Sequence, residues 1–184
     1  MTIGLVLLVV LAAGTFWCLA AYNGLVRMRQ EVKNAWSQID VQLKRRHDLI
    51  PNLVEAVKGY MGHERQTLES VIKARAQAVD AGSLKDRAQA ENVLTQALRS
   101  LFAVAERYPD LKANQNVLAL QEELTSTENR ISFARQFHND QVMRLNTAVE
   151  SAPTNLVAGV TGFAKAEFFA LEDPAHREAP VVKF

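Results

Sequence analysis

Cysteine is almost absent from this 184-residue chain. Cys18 stands alone, which excludes an intrachain disulfide framework and a cluster of thiolate metal ligands. Neither sign of charge dominates: 21 Lys and Arg nearly cancel 20 Asp and Glu, so no basic surface suited to nucleic-acid phosphates is implied. Glycine (8) and proline (5) are scarce, leaving little material for tight turns and hairpins. Ala, Leu, Glu, Gln, Lys and Arg are plentiful instead and favour helix throughout. No charged side chain at all precedes Arg27.

That charge-free start contains Ile3–Tyr22, IGLVLLVVLAAGTFWCLAAY, about twenty residues and long enough to cross a bilayer as helix. Ile3 and Leu8 lie in its apolar body, and Trp17 and Tyr22 stand towards its far end, where amphipathic rings anchor at the interface. A cleaved signal peptide would need a basic leader, which Met1-Thr2 does not supply. A lipoprotein signal would place small residues before Cys18, where Phe16 and Trp17 stand. Residues 1–22 therefore read as an uncleaved transmembrane anchor. Arg27, Arg29 and Lys33 follow the span and no Lys or Arg precedes it, so the soluble part leans cytoplasmic with the N-terminus outside.

Beyond Tyr22 the apolar residues keep helical spacing. Leu25, Val32, Trp36, Ile39, Leu43 and Ile50 form one stripe, so the span is predicted to continue without a break into the soluble part. From Ile3 to Leu49 that helix would measure about 70 Å at 1.5 Å per residue. Pro51 lacks the N–H that bonds back four residues, and its ring crowds that carbonyl. It is read as the joint between a first and a second helix, with a mild kink in one helix as the alternative. Val54, Val57, Met61, Leu68, Val71, Ile72 and Val79 make the second stripe, which Ala81-Gly82 closes. Ser83 caps a third helix, with Leu94, Leu98, Leu101, Val104 and Ala105 inside and Tyr108-Pro109-Asp110 as its stop. A fourth runs from Asn114 through Val117, Leu124, Ile131, Val142 and Leu145 to Ser151-Ala152-Pro153. The expected fold class is all-α, with the transmembrane helix continuing into a four-helix bundle over residues 23–152.

Residues 153–171 follow as an aromatic-rich segment whose apolar core, Leu156 to Ala164, is too short to span a bilayer. Phe163, Phe168 and Phe169 need a surface to cover them. The segment either caps the bundle or contacts the membrane surface or another subunit. Residues 172–184, with Pro174 and Pro180, read as a flexible tail.

No catalytic constellation emerges. His63-Glu64 opens like a helical HExxH zinc site, but Thr67 occupies the second ligand position. There is no glycine-rich phosphate loop and no GxSxG elbow. The chain is expected not to be an enzyme, and no catalytic residue, metal or cofactor is assigned. The informative polar residues sit on apolar stripes instead. Arg75 falls near the centre of the second stripe with Glu64 beside it; Arg135 and His138 fall within the fourth, with Glu128 at its margin. A buried unpaired charge is costly, so each needs a partner or water. If the second and fourth helices neighbour one another antiparallel, Glu64 would pair with Arg135 and Arg75 with Glu128. Otherwise the long side chains reach solvent from the edge of the stripe. Lys44-Arg45-Arg46-His47 spreads round its helix and reads as a solvated band. It would meet anionic headgroups only if the helix bent back to the bilayer.

Three stretches, AWSQIDVQLKRRHDLIPNLVEAVKGY (Ala35–Tyr60), YPDLKANQNVLALQEEL (Tyr108–Leu124) and TENRISFARQFHND (Thr127–Asp140), closely resemble the bacterial LemA family. With the N-terminal apolar run and PTNLVAGVTGF, the resemblance reaches to about Phe169. It implies a single-span protein of the bacterial inner membrane carrying an antiparallel, up-and-down four-helix bundle. It brings no enzymatic reaction, and it implies a part in membrane formation only through a relative in magnetotactic bacteria. Phe137-His138 stands where the family commonly has Tyr-Asn. The motif residues Trp36, Asp40 and Arg46, together with Phe163, Phe168 and Phe169, are the interface candidates. The expected function is a self-associating, membrane-anchored scaffold that organises or remodels membrane. Anchoring would convert weak bundle contacts into lateral assembly through effective concentration. The alternative is an adaptor presenting its bundle to another envelope protein, a protease or signalling partner. Expected partners are membrane lipids, further copies of the chain and such an envelope protein, with no nucleic acid.

Overall fold

The computed structural model describes residues 2–169; the expected tail lies outside them. The fold is all-α. Its helices are α1 (Thr2–Lys58), α2 (Arg65–Asp80), α3 (Leu84–Ala105), α4 (Pro109–Lys112), α5 (Gln115–Glu150) and α6 (Thr154–Thr161). The long helices α1 and α5 contribute to two compact units, one of residues 2–41 with 131–168 and one of residues 42–130 with Phe169. The chain therefore divides near Val41 and Arg130, inside the stretch expected to form one bundle.

Residues 42–130 form an antiparallel helical bundle around one core. Ile50, Leu53 and Val57 of α1 meet Leu68, Val71 and Ala74 of α2, Leu94, Leu98 and Leu101 of α3, and Val117 and Leu124 of α5. Each large aliphatic side chain fully buried here contributes about 1.5–3 kcal/mol from apolar surface alone. The expected α2 stripe needs correction: Ile72 and Val79 are half exposed, whereas Ala74 and Ala78 are buried. The inward ladder from Leu68 steps through Val71, Ala74 and Ala78, and these small residues let α2 lie close to α3. Ser83 caps α3 as expected, its hydroxyl accepting from the Asp86 N–H at 3.0 Å. Asn114 caps α5 in the same way, its side-chain oxygen accepting from the N–H groups of Asn116 (3.0 Å) and Val117 (3.3 Å).

Pro51 is not the joint. It lies inside α1, which continues to Lys58, and the chain turns at residues 59–64, where Gly59 and Gly62 sit. Proline costs a helix one hydrogen bond and some crowding, and burial of Leu53, Val54 and Val57 just beyond it outweighs that local preference.

In residues 2–41 and 131–168, α1 and α5 run antiparallel. Leu25 shares a cluster with Leu145, and further along the Trp36 ring stands 5.9 Å from His138. The first part of α1 contains an 18-residue window long and apolar enough to cross a membrane, and none of it is buried within the protein. Ile3 and Leu8 are well exposed, and Trp17 and Tyr22 less so. After Glu150, α6 folds back with Val157 and Ala158 against Leu25 and Leu145. Gly162 ends it at φ +72°, a left-handed conformation that glycine adopts without a Cβ clash, and the Phe163 N–H bonds to the Ala158 carbonyl at 3.0 Å.

Candidate functional site

The most concentrated chemistry lies inside the bundle and centres on Arg46. The residue is only 1% exposed, so the solvated charge band expected there does not exist at this position. Arg46 belongs to the inward ladder of Leu43 and Ile50, and burial forces partners on its guanidinium. Nη2 donates to Glu91 Oε2; Nη1 donates to Glu128 Oε2 and, at 3.0 Å, to the Thr95 hydroxyl. Thr95 in turn donates to Glu128 Oε1 at 3.3 Å. The other oxygen of Glu91 lies 2.8 Å from His47 Nε2. Burial alone would raise the Glu91 pKa, but the His47 hydrogen bond and the charge and hydrogen bond of Arg46 outweigh it and hold the carboxyl below its ordinary value. Nearer the surface, Arg45 reaches Glu123 Oε1 through Nε at 3.1 Å and Nη2 at 2.5 Å.

A second contact links this cluster to the proline. Pro51 has no N–H to offer the carbonyl four residues back, which is that of His47. Arg75 Nε donates to this carbonyl at 2.7 Å. A side chain from α2 thus satisfies the acceptor that the proline orphans, and the helix can continue through Pro51.

The expected pairs are therefore replaced. Arg75 takes the His47 carbonyl rather than Glu128, because Pro51 cannot give that backbone acceptor its usual helical donor. Glu128 is held by Arg46 and Thr95. Glu64 accepts from the Tyr108 hydroxyl at 3.4 Å, while Arg135 is buried in the other unit. Among the interface candidates, Arg46 and Phe169 are buried within the chain, Trp36 packs on His138, and Asp40 and Phe168 are exposed. Phe163 meets Tyr22 edge-on at 6.0 Å, with the Arg29 guanidinium 4.8 Å from its ring centre. Glu91, Thr95 and Glu123 are the members that sequence reasoning missed. Glu91 did carry a signal: it precedes Leu94 by three residues and Leu98 by seven, a carboxylate on an apolar ladder.

Chemically, both carboxylates of the cluster are engaged by Arg46, and Glu91 is sealed from solvent at 0% exposure. The arrangement suits an internal electrostatic lock across α1, α3 and α5. Arg46, Thr95 and Glu128 also border a cleft of about 190 Å³ walled by Leu98, Phe102 and Leu124. Among the described residues no three His, Cys, Asp or Glu side chains converge as metal ligands.

An all-helical fold with a charge-locked bundle, and one helix long and apolar enough to cross a membrane, defines a membrane-anchored helical protein. Comparison with known proteins gives that class a family. The chain belongs to the LemA family, whose profile matches residues 35–184. It is similar to magnetosome proteins MamQ 1 and MamQ 2 of Paramagnetospirillum magneticum, each 27% identical over 190 residues, covering 89% of this chain and 69% of the relative. It also resembles Protein LemA of Metamycoplasma hominis, 28% identical over 159 residues, covering 83% of this chain and 71% of the relative.

Proposed function

We propose that this chain is a scaffold of the bacterial inner membrane that self-associates through its helical part and organises the membrane to which it is anchored. One observation carries the reading: a single helix, α1, supplies both the apolar run and part of the bundle core. Copies held in one membrane meet at high effective concentration, so weak contacts suffice for lateral assembly. Phe133 (72% exposed), Phe137 and Met143 on α5 provide apolar surface for such contacts. Relatives named as magnetosome proteins support the membrane-organising part. Arg27, Arg29 and Lys33 after the span support a cytoplasmic bundle. No catalysis is assigned to the chain.

The test is the mass of the particle extracted from membranes with its lipid intact. A defined oligomer that dissociates in a Phe133→Asp/Phe137→Asp variant is expected. A monomer at high copy number would end the scaffold reading. The cleft beside Arg46 favours a second reading, an adaptor whose bundle takes a segment of an envelope protein there. A heteromeric crosslink from Thr125→Cys, without a homo-oligomer, would favour it.

A further inference from the structure

The end of the described chain sits against the place where α1 leaves its apolar run. Val157 and Ala158 of α6 are buried in a cluster with Leu25 and Leu145, and Ala21, Met28 and Phe163 pack against it. Phe163 rests on Tyr22, the last residue of the uncharged span. Asn146 fixes the strand of chain that follows: its Nδ2 donates to the Ala166 carbonyl at 3.0 Å, and its Oδ1 accepts from the Ala166 N–H at 2.8 Å. Lys165 is tied to Glu150. The segment is thus seated beside α1 within a turn or two of the end of the span.

Its outward face is apolar. Val160 is 90% exposed and Leu156 is 69% exposed. They are one helical turn apart and share one side of α6, with the buried Ala158 on the opposite side and the buried Val157 on the flank between. No charged residue occurs from Ser151 to Ala164, so no ionic desolvation cost opposes entry of the segment into a low-dielectric boundary. Arg27 and Arg29 lie just beyond the span and add a basic flank suited to anionic headgroups.

We propose that α6 is a membrane-surface foot: Leu156 and Val160 insert into the headgroup–acyl boundary beside the span, giving the chain a second lipid contact. Continuity with the span selects lipid as the occupant, because the residues that seat α6 are those where α1 emerges from its apolar run. The foot restrains rotation and tilt of the anchor, which a single helix alone leaves free. The inference rests on anchoring by α1 and is independent of self-association, so either reading can fail without the other.

The test uses the full chain in nanodiscs containing anionic lipid, with Cys18→Ala and one fluorophore-labelled cysteine. Labels at Val160→Cys and Leu156→Cys are expected to shift to the blue. They should be quenched by lipids with a shallow nitroxide, at the roughly 5–10 Å depth of interfacial helices. Quenching should exceed several-fold that of a label at Lys73→Cys on exposed α2. Both substituted positions are exposed, and circular dichroism checks that the fold is kept. Labels open to aqueous iodide and blind to the nitroxide lipid would overturn the proposal. So would shielding that appears only when two chains share a nanodisc, which would identify a second copy as the occupant. A label at Leu8→Cys reports the span itself, and its absence from lipid would overturn the foot along with the anchor.

Discussion

Arg46→Met tests the electrostatic lock most directly. The substitution keeps an unbranched side chain of similar reach in the α1 ladder and removes only the guanidinium. Glu91 is 0% exposed and would keep one partner, His47 at 2.8 Å, for a carboxylate that water cannot reach. Glu128 is 36% exposed and can turn to solvent, so its loss weighs less. Breaking one side of a buried pair costs about 3–5 kcal/mol. With a urea dependence of about 2 kcal/mol per molar, the unfolding midpoint of the bundle should fall by about 1.5–2.5 M. The readout is the helix signal of the nanodisc-held chain, where the span contributes a constant baseline. Adding Glu91→Leu should recover most of the loss, because an apolar replacement leaves no buried charge behind. An unchanged midpoint in Arg46→Met, or no recovery in the double variant, would refute the lock.

Four further outcomes follow from other buried and exposed contacts of the fold. Arg75→Met should cost about 1–3 kcal/mol because the His47 carbonyl loses its donor, and much less in a Pro51→Ala background, where the helix supplies its own N–H; equal costs in both backgrounds would show that the two residues are not coupled. Burial lowers the His138 pKa below its ordinary 6.5, against a hydrogen bond with Asn139 that raises it, so the unfolded chain binds more protons and stability falls as pH drops below about 6.5. His138→Leu should flatten that decline. Glu91, also lowered, adds a second decline as pH falls below its ordinary 4.5, and Glu91→Gln should remove it. Arg45→Ala, by contrast, breaks a pair with both partners well exposed and should shift stability by less than about 1 kcal/mol.

Local rules read much of the architecture in advance, for identifiable reasons. The cap at Ser83, the start of the fourth helix after Asn114 and the stops after Ala105 and Glu150 depend on interactions within a few residues, which neighbouring sequence specifies. The apolar run of α1 is equally local, since its length and lack of charge need no tertiary partner. The charged cluster was half legible. That charges lie on apolar ladders is visible in sequence, but which of them meet depends on the register of helices many residues apart. Glu91 and Arg46 are 45 positions apart, and Glu128 and Arg46 are 82 apart.

Pro51 marks the boundary between the two kinds of information. By itself the sequence determined an all-helical chain, an apolar span, the helix cap at Ser83 and a proline that weakens one helical turn. Only the tertiary structure decided that the weakened turn survives. Arg75 from α2 takes up the stranded His47 carbonyl, and the core around Val54 and Val57 holds the rest of α1 in line. Likewise only the fold turned Arg46 inward and set α6 against the end of the span. Local preferences, even the roughly 3 kcal/mol that proline costs a helix, yield to packing that gathers several side chains at once.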